Sequence, residues 1–149
     1  MKRILAFTIL CVISQAASAN NWLEYSPGGF HILQSAESGK IGATAAMKEG
    51  KLTVTLLDLS GRYCKKGADS KFEPVGAFRV NKEMVRFESA CIGGWRILRP
   101  ETEKGKEYFA SEITTKPTVV TITFDQKLSF NSENFDAAKK AMIDAESAM

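Results

Sequence analysis

The sequence predicts a mainly β protein, an antiparallel β-sandwich or small barrel finished by one C-terminal α-helix. Apolar and polar residues alternate with a period of two in several short stretches, the pattern of half-buried antiparallel strands. Gly, Pro and Asn stand between those stretches as turn signals. Only the final segment changes to steps of three and four residues.

The N-terminus is read separately. Met1-Lys2-Arg3 is followed by an apolar run from Ile4 to Ile13, broken only by Thr8, and then by the small residues Ala16-Ala17-Ser18-Ala19. Basic, apolar and small residues in that order predict a cleavable secretory signal over 1–19, removed after Ala19. The apolar run has about half the ~20 residues needed to cross a bilayer. Residues 20–149 are expected to form a single β-rich domain with no transmembrane segment after cleavage, periplasmic or secreted. Lys2 and Arg3 leave with the signal, so the 20 basic residues of the whole chain fall to 18, against 17 acidic ones. A mature chain this close to neutral offers no electrostatic case for nucleic acid, and no such partner is expected.

The strands follow in order. Trp22–Ser26 and Phe30–Gln34 are separated by Pro27-Gly28-Gly29, and Ile41–Lys48 turns at Glu49-Gly50 into Leu52–Leu59. Asn81 to Met84 is expected to connect Val80 to Val85 and to set Phe78 opposite Phe87. Gly93-Gly94 precede Trp95–Leu98, and Gly105 marks a charged turn before a strand over Tyr108–Thr114. Pro117 ends that strand ahead of Val119–Phe124. Eight to ten such strands suit a sandwich or closed barrel. Phe135, Ala138, Met142, Ala145 and Met149 form the apolar stripe of the helix, with Asn131 as its N-cap and Phe130 stapled onto Phe135.

No catalytic centre is expected. His31 is the only histidine, lies on the polar side of its strand, and has no Gly-x-Ser-x-Gly serine to serve. The acidic residues are scattered through turns, strand edges and the helix rather than paired. Glu37-Ser38-Gly39-Lys40 lacks the leading glycine and trailing Ser/Thr of a phosphate loop. No cofactor or metal is expected.

Loss of Cys11 with the signal leaves Cys64 and Cys91, an even pair in an oxidising compartment, and hence an expected disulfide. That bond would hold the two Cα atoms within about 4.4–6.8 Å and draw together Ser60, Arg62 and Tyr63 on one side and Trp95 and Arg96 on the other. Trp, Tyr and Arg are the side chains that dominate binding hot spots, and a stapled loop loses less entropy on binding. These five residues are the candidate partner-binding site of an exported, non-enzymatic binding protein of the bacterial envelope. Its expected partner is a protein or an anionic glycan, and the sequence leaves the oligomeric state open.

Ser60-Gly61-Arg62-Tyr63 resembles the Ser-Gly-x-Tyr loop of bacterial periplasmic lysozyme inhibitors. The resemblance implies a small exported β-rich protein that inserts this loop into an enzyme's cleft, with Ser60 and Tyr63 hydrogen-bonding the catalytic carboxyl groups. It therefore supplies the alternative function, inhibition of or immunity to a lysozyme-like cell-wall hydrolase. Arg62, Lys65 and Lys66 beside the loop depart from the acidic character expected of a partner for a cationic lysozyme.

Overall fold

Local turn chemistry sets up the first hairpins. In the computed structural model, which describes residues 21–33, 40–123 and 126–148, strand β1 (Leu23–Ser26) pairs with β2 (Gly29–Leu33) across Pro27-Gly28. Strands β3 (Ile41–Lys48) and β4 (Lys51–Asp58) meet in unbroken register, Ile41 opposite Asp58 and Lys48 opposite Lys51. Their two-residue turn places Glu49 at φ 52° and Gly50 at φ 72°, the double left-handed conformation that matches the twist of the flanking strands. The signal segment expected at 1–19 lies outside the described residues, as do Gln34 to Gly39, Phe124 and Met149.

The remaining elements are β5 (Glu73–Val80), β6 (Glu83–Ile92), β7 (Trp95–Pro100), helix α1 (Glu103–Thr115), β8 (Thr118–Thr123), β9 (Gln126–Phe130) and helix α2 (Phe135–Ser147). All the strands join one antiparallel sheet in the order β1-β2-β3-β4-β7-β6-β5-β8-β9. The protein is therefore mostly β with a C-terminal helix, as its alternation predicts.

One face of the sheet carries the core. Ile32, Ala43, Val54, Leu56, Val80 and Leu98 point into it and are almost completely buried. Helix α1 packs on β4, β6 and β7 and contributes Phe109 and Ile113, while α2 lies on β3 with Ala138 and Met142 inward. Phe87 joins the layers: it stacks on Phe78 at 4.8 Å between ring centroids and meets Phe109 edge-on at 5.6 Å.

Three expectations are corrected. Tyr108–Thr114 is not a strand but the body of α1, and Gly105 lies in its first turn rather than in a loop. The Thr102 side chain caps the helix by accepting from the Gly105 amide at 3.0 Å. The β-branched residues that suggest a strand satisfy themselves inside the helix: Thr114 and Thr115 donate their hydroxyls to the carbonyls of Ala110 and Ser111, each at 2.6 Å. Glycine at position 105 lets the helix approach closely, because a Cβ there would lie a tight 3.0–3.2 Å from Thr102, Pro100 and Val85.

The β5–β6 register is also two residues off the expected one. Asn81 adopts φ 51° and shortens the connection to Asn81-Lys82, so Phe78 faces Val85 and Val80 faces Glu83. An even shift leaves every side chain on its original face, and Phe78 still reaches Phe87 diagonally.

Finally, the N-cap of α2 is Asn134, not Asn131, and its side chain leaves the helix uncapped. It binds the entering chain instead: Asn134 Oδ1 accepts from the Trp22 amide at 2.6 Å, and Nδ2 donates to the Trp22 carbonyl at 3.1 Å. The Trp22 indole donates to the Ser132 hydroxyl and packs edge-on against Phe135. The first described strand is thereby locked to the last helix.

A polar hub pins α1 to the sheet. Glu112 is buried, 7 % exposed, and its carboxylate accepts from Lys116 Nζ and Asn81 Nδ2, both at 2.6 Å. Asn81 also exchanges two bonds with the backbone of Val119, and Tyr108 donates to the Val80 carbonyl at 3.1 Å. The bonds from Lys116 and then Asn81 hold the Glu112 carboxyl below its ordinary pKa. Burial, and next the charge of Glu112, pushes the Tyr108 hydroxyl up. A carboxyl whose folded pKa is depressed adds stability that is complete above its unfolded value, about 4.3, and is lost as pH falls through the folded value. Glu112→Gln is expected to cost roughly 1–3 kcal/mol at pH 7, a gap that closes with acidification through that range, measured by urea unfolding across the pH series.

Candidate binding corner

The candidate site is built where β4 ends. Asp58 is buried, 4 % exposed, at the last position of the strand, and its Oδ1 accepts from the Ser60 amide at 2.8 Å. The Ser60 hydroxyl accepts in turn from the Arg62 amide at 3.4 Å. Two successive side-chain-to-backbone turns therefore steer the chain out of the sheet.

Cys64 then bonds Cys91 on β6, as expected, with 5.7 Å between the Cα atoms and 27 residues of separation. The returning chain is stitched to the same strand end. The Ser70 amide donates to the Cys91 carbonyl and the Ser70 hydroxyl accepts from the Cys91 amide, both at 2.9 Å. Asp69 accepts from the Gly93 amide at 2.8 Å, at the tip of the β6–β7 hairpin. One covalent bond and three cross-segment hydrogen bonds thus hold the loop against β6.

Tyr63 is 59 % exposed on this loop, and the Arg96 guanidinium lies 4.3 Å from the centre of its ring. Arg96 pairs with Cys91 across the β6–β7 ladder, which is how the disulfide brings the arginine to the tyrosine. A polar cavity of about 240 Å³ opens beside them, with Ser70, Lys71 and Glu73 among its walls. Arg62, Lys65, Lys66, Lys71 and Arg96 supply positive charge here. Asp58, Asp69 and Glu73 are the nearby carboxylates, three negative charges against these five positive ones. The corner is cationic.

Four of the five expected residues gather here: Tyr63 and Arg96 in contact, with Ser60 and Arg62 on the approach to them. Trp95 does not join them. It precedes Arg96 on β7, and successive strand residues point to opposite faces. Trp95 is 46 % exposed on the other face, opposite Ile92, and among the described residues no ring contact links it to Tyr63. Asp58, Asp69 and Ser70 are structural members of the site that the sequence reading passes over. The Asp-x-Ser spacing at a strand end is a legible turn signal, whereas nothing local marks Asp69 or Ser70.

His31 sits half-buried on β2 with its ring 5.9 Å from that of Tyr25. Among the described residues no group of three His, Cys, Asp or Glu is placed to hold a metal ion, and no helix is long and apolar enough to cross a membrane. Comparison with known proteins finds no matching family, no similar curated protein and no similar solved structure.

Replacing both cysteines, Cys64→Ala with Cys91→Ala, is expected to lower stability by about 3–4 kcal/mol, the chain-entropy value for a loop of this length. The shift of the urea midpoint at constant slope measures it.

Proposed function

We propose that the protein is an exported, non-enzymatic binding protein of the bacterial envelope that engages an anionic partner at the disulfide corner. The observation that carries this reading is the exposed Tyr63 ring stacked with Arg96 and clamped by the Cys64–Cys91 bond. An aromatic held beside a guanidinium offers a flat apolar face for a sugar or ring and a forked donor for a carboxylate or sulfate. Its immobility lowers the ordering cost of binding. Arg62, Lys65 and Lys66 extend the positive field toward solvent and favour an anionic glycan over a neutral one.

The alternative reading, an inhibitor of or immunity protein against a lysozyme-like cell-wall hydrolase, draws on the exposure of the Ser60–Tyr63 loop. One feature weighs against it: the surrounding cations would repel a basic enzyme.

Retention of the mature protein on a sulfated-glycan resin, with a neutral glycan resin as control, separates the two. The proposal expects salt-sensitive retention and binding about tenfold weaker in Tyr63→Ala and in Arg96→Ala. Retention unchanged in both variants overturns the site. Stoichiometric inhibition of a lysozyme together with indifference to the anionic resin selects the alternative.

A further inference from the structure

The sheet has a second face, and part of it is an apolar groove. Ile32, Ala43, Val54, Leu56 and Leu98 point to the helices, so the alternate residues point away from them. Across β2, β3, β4 and β7 the ladder sets His31 opposite Thr44, Thr44 opposite Thr55, Gly42 opposite Leu57, and Leu57 opposite Ile97. With Tyr25 and Leu59 these residues enclose a cavity of about 400 Å³. The absence of a side chain at Gly42 hollows the floor between its neighbours. The Thr44 and Thr55 hydroxyls bond each other at 2.7 Å across the floor, which spends one of their two O–H donors within the pair.

Among the described residues that line the groove none is a carboxylate. At one end the Leu59 amide donates to the Lys40 carbonyl at 2.7 Å, which places the exposed Lys40 beside Leu59 and on the Gly42 side of β3. The opposite end holds Tyr25 and His31. An apolar trough with the Lys40 ammonium at one end is complementary to an amphiphile with one anionic head. Its volume falls in the range of small-ligand pockets, about 300–1,000 Å³. A protein partner would need about 800 Å² of matching surface on each side, far more than such a trough offers.

We propose that this groove binds a single medium-chain fatty acid, its chain lying along Leu57 and Ile97 and its carboxylate at the Lys40 end. The site is separate from the Tyr63–Arg96 corner and stands or falls independently of it. Trp95 and Ile92 continue the same face beyond Leu59 and Ile97, which gives these exposed apolar side chains a place in an apolar surface rather than in the cationic corner.

Displacement of a fluorescent dansylaminoundecanoate probe by laurate from the mature protein tests the proposal. The expected result is saturable, single-site displacement, about tenfold weaker for dodecanol, which has the chain without the charge. Leu57→Gln and Ile97→Gln are each expected to weaken laurate binding about tenfold or more, and Lys40→Gln to bring laurate to the level of dodecanol. Met84→Gln, an exposed apolar residue elsewhere, should bind as wild type. If the groove variants misfold, amide shifts of the wild-type protein decide: laurate must move Gly42, Leu57, Leu59 and Ile97. No displacement, equal affinity for acid and alcohol, folded groove variants that bind as wild type, or shifts confined to other residues would each overturn the assignment.

Discussion

Everything assigned to the binding corner depends on one covalent constraint. The segment from Ser60 to Phe72 leaves β4, crosses the end of the sheet and enters β5, with no regular secondary structure of its own. Its side chains are mostly polar or charged, so it has little apolar area with which to hold itself down. The Cys64–Cys91 bond supplies what burial does not, and it does so at the strand that also carries the partner of Arg96. The bonds from Ser70 and Asp69 to the same strand end then have short distances to span.

The pleat of β7 organises the two candidate sites. Arg96 and Trp95 are consecutive, so one strand serves the cationic corner with one residue and the apolar outer face with the next. Neither site lies in the core, where both helices are spent on one face of a wide sheet. Two helices of 13 residues cannot also cover the other face. The ends of the chain contribute to the same economy: Trp22 and Asn134 close the described chain on itself over 112 residues.

Much of this was legible in the residues, and the failures have identifiable causes. The β3–β4 hairpin was readable because Leu52, Val54 and Leu56 alternate with threonines and Glu49-Gly50 is a local turn signal. The α2 stripe was readable for the same reason, since Phe135, Ala138 and Met142 form a periodic pattern that packing then uses. Helix α1 was hidden because Ile113, Thr114 and Thr115 carry strand propensity, and what overrides it is tertiary: Phe109 and Ile113 fill the centre of the core, and Gly105 allows close approach to Val85. The β5–β6 register turned on whether Asn81 would adopt a left-handed conformation, which its bonds to Val119 and Glu112 decide from elsewhere in the chain. At the site, the two cysteines made the meeting of Tyr63 and Arg96 foreseeable. The separation of Trp95 was also legible, since Trp95 and Arg96 are consecutive in a strand already expected to begin at Trp95, and alternation sends them to opposite faces. The outer groove was not legible as a whole, because β1 to β4 follow the chain but Ile97 joins them from β7, a sheet neighbour that does not.

Amide hydrogen exchange on the oxidised and the reduced protein addresses the central claim most directly. The account predicts that the amides of Ser70, Cys91 and Gly93 are protected with the disulfide intact and become much faster on reduction, while those of β3 and β4 keep their rates. Rapid exchange at these three positions in the oxidised protein, or protection that survives reduction unchanged, would contradict it.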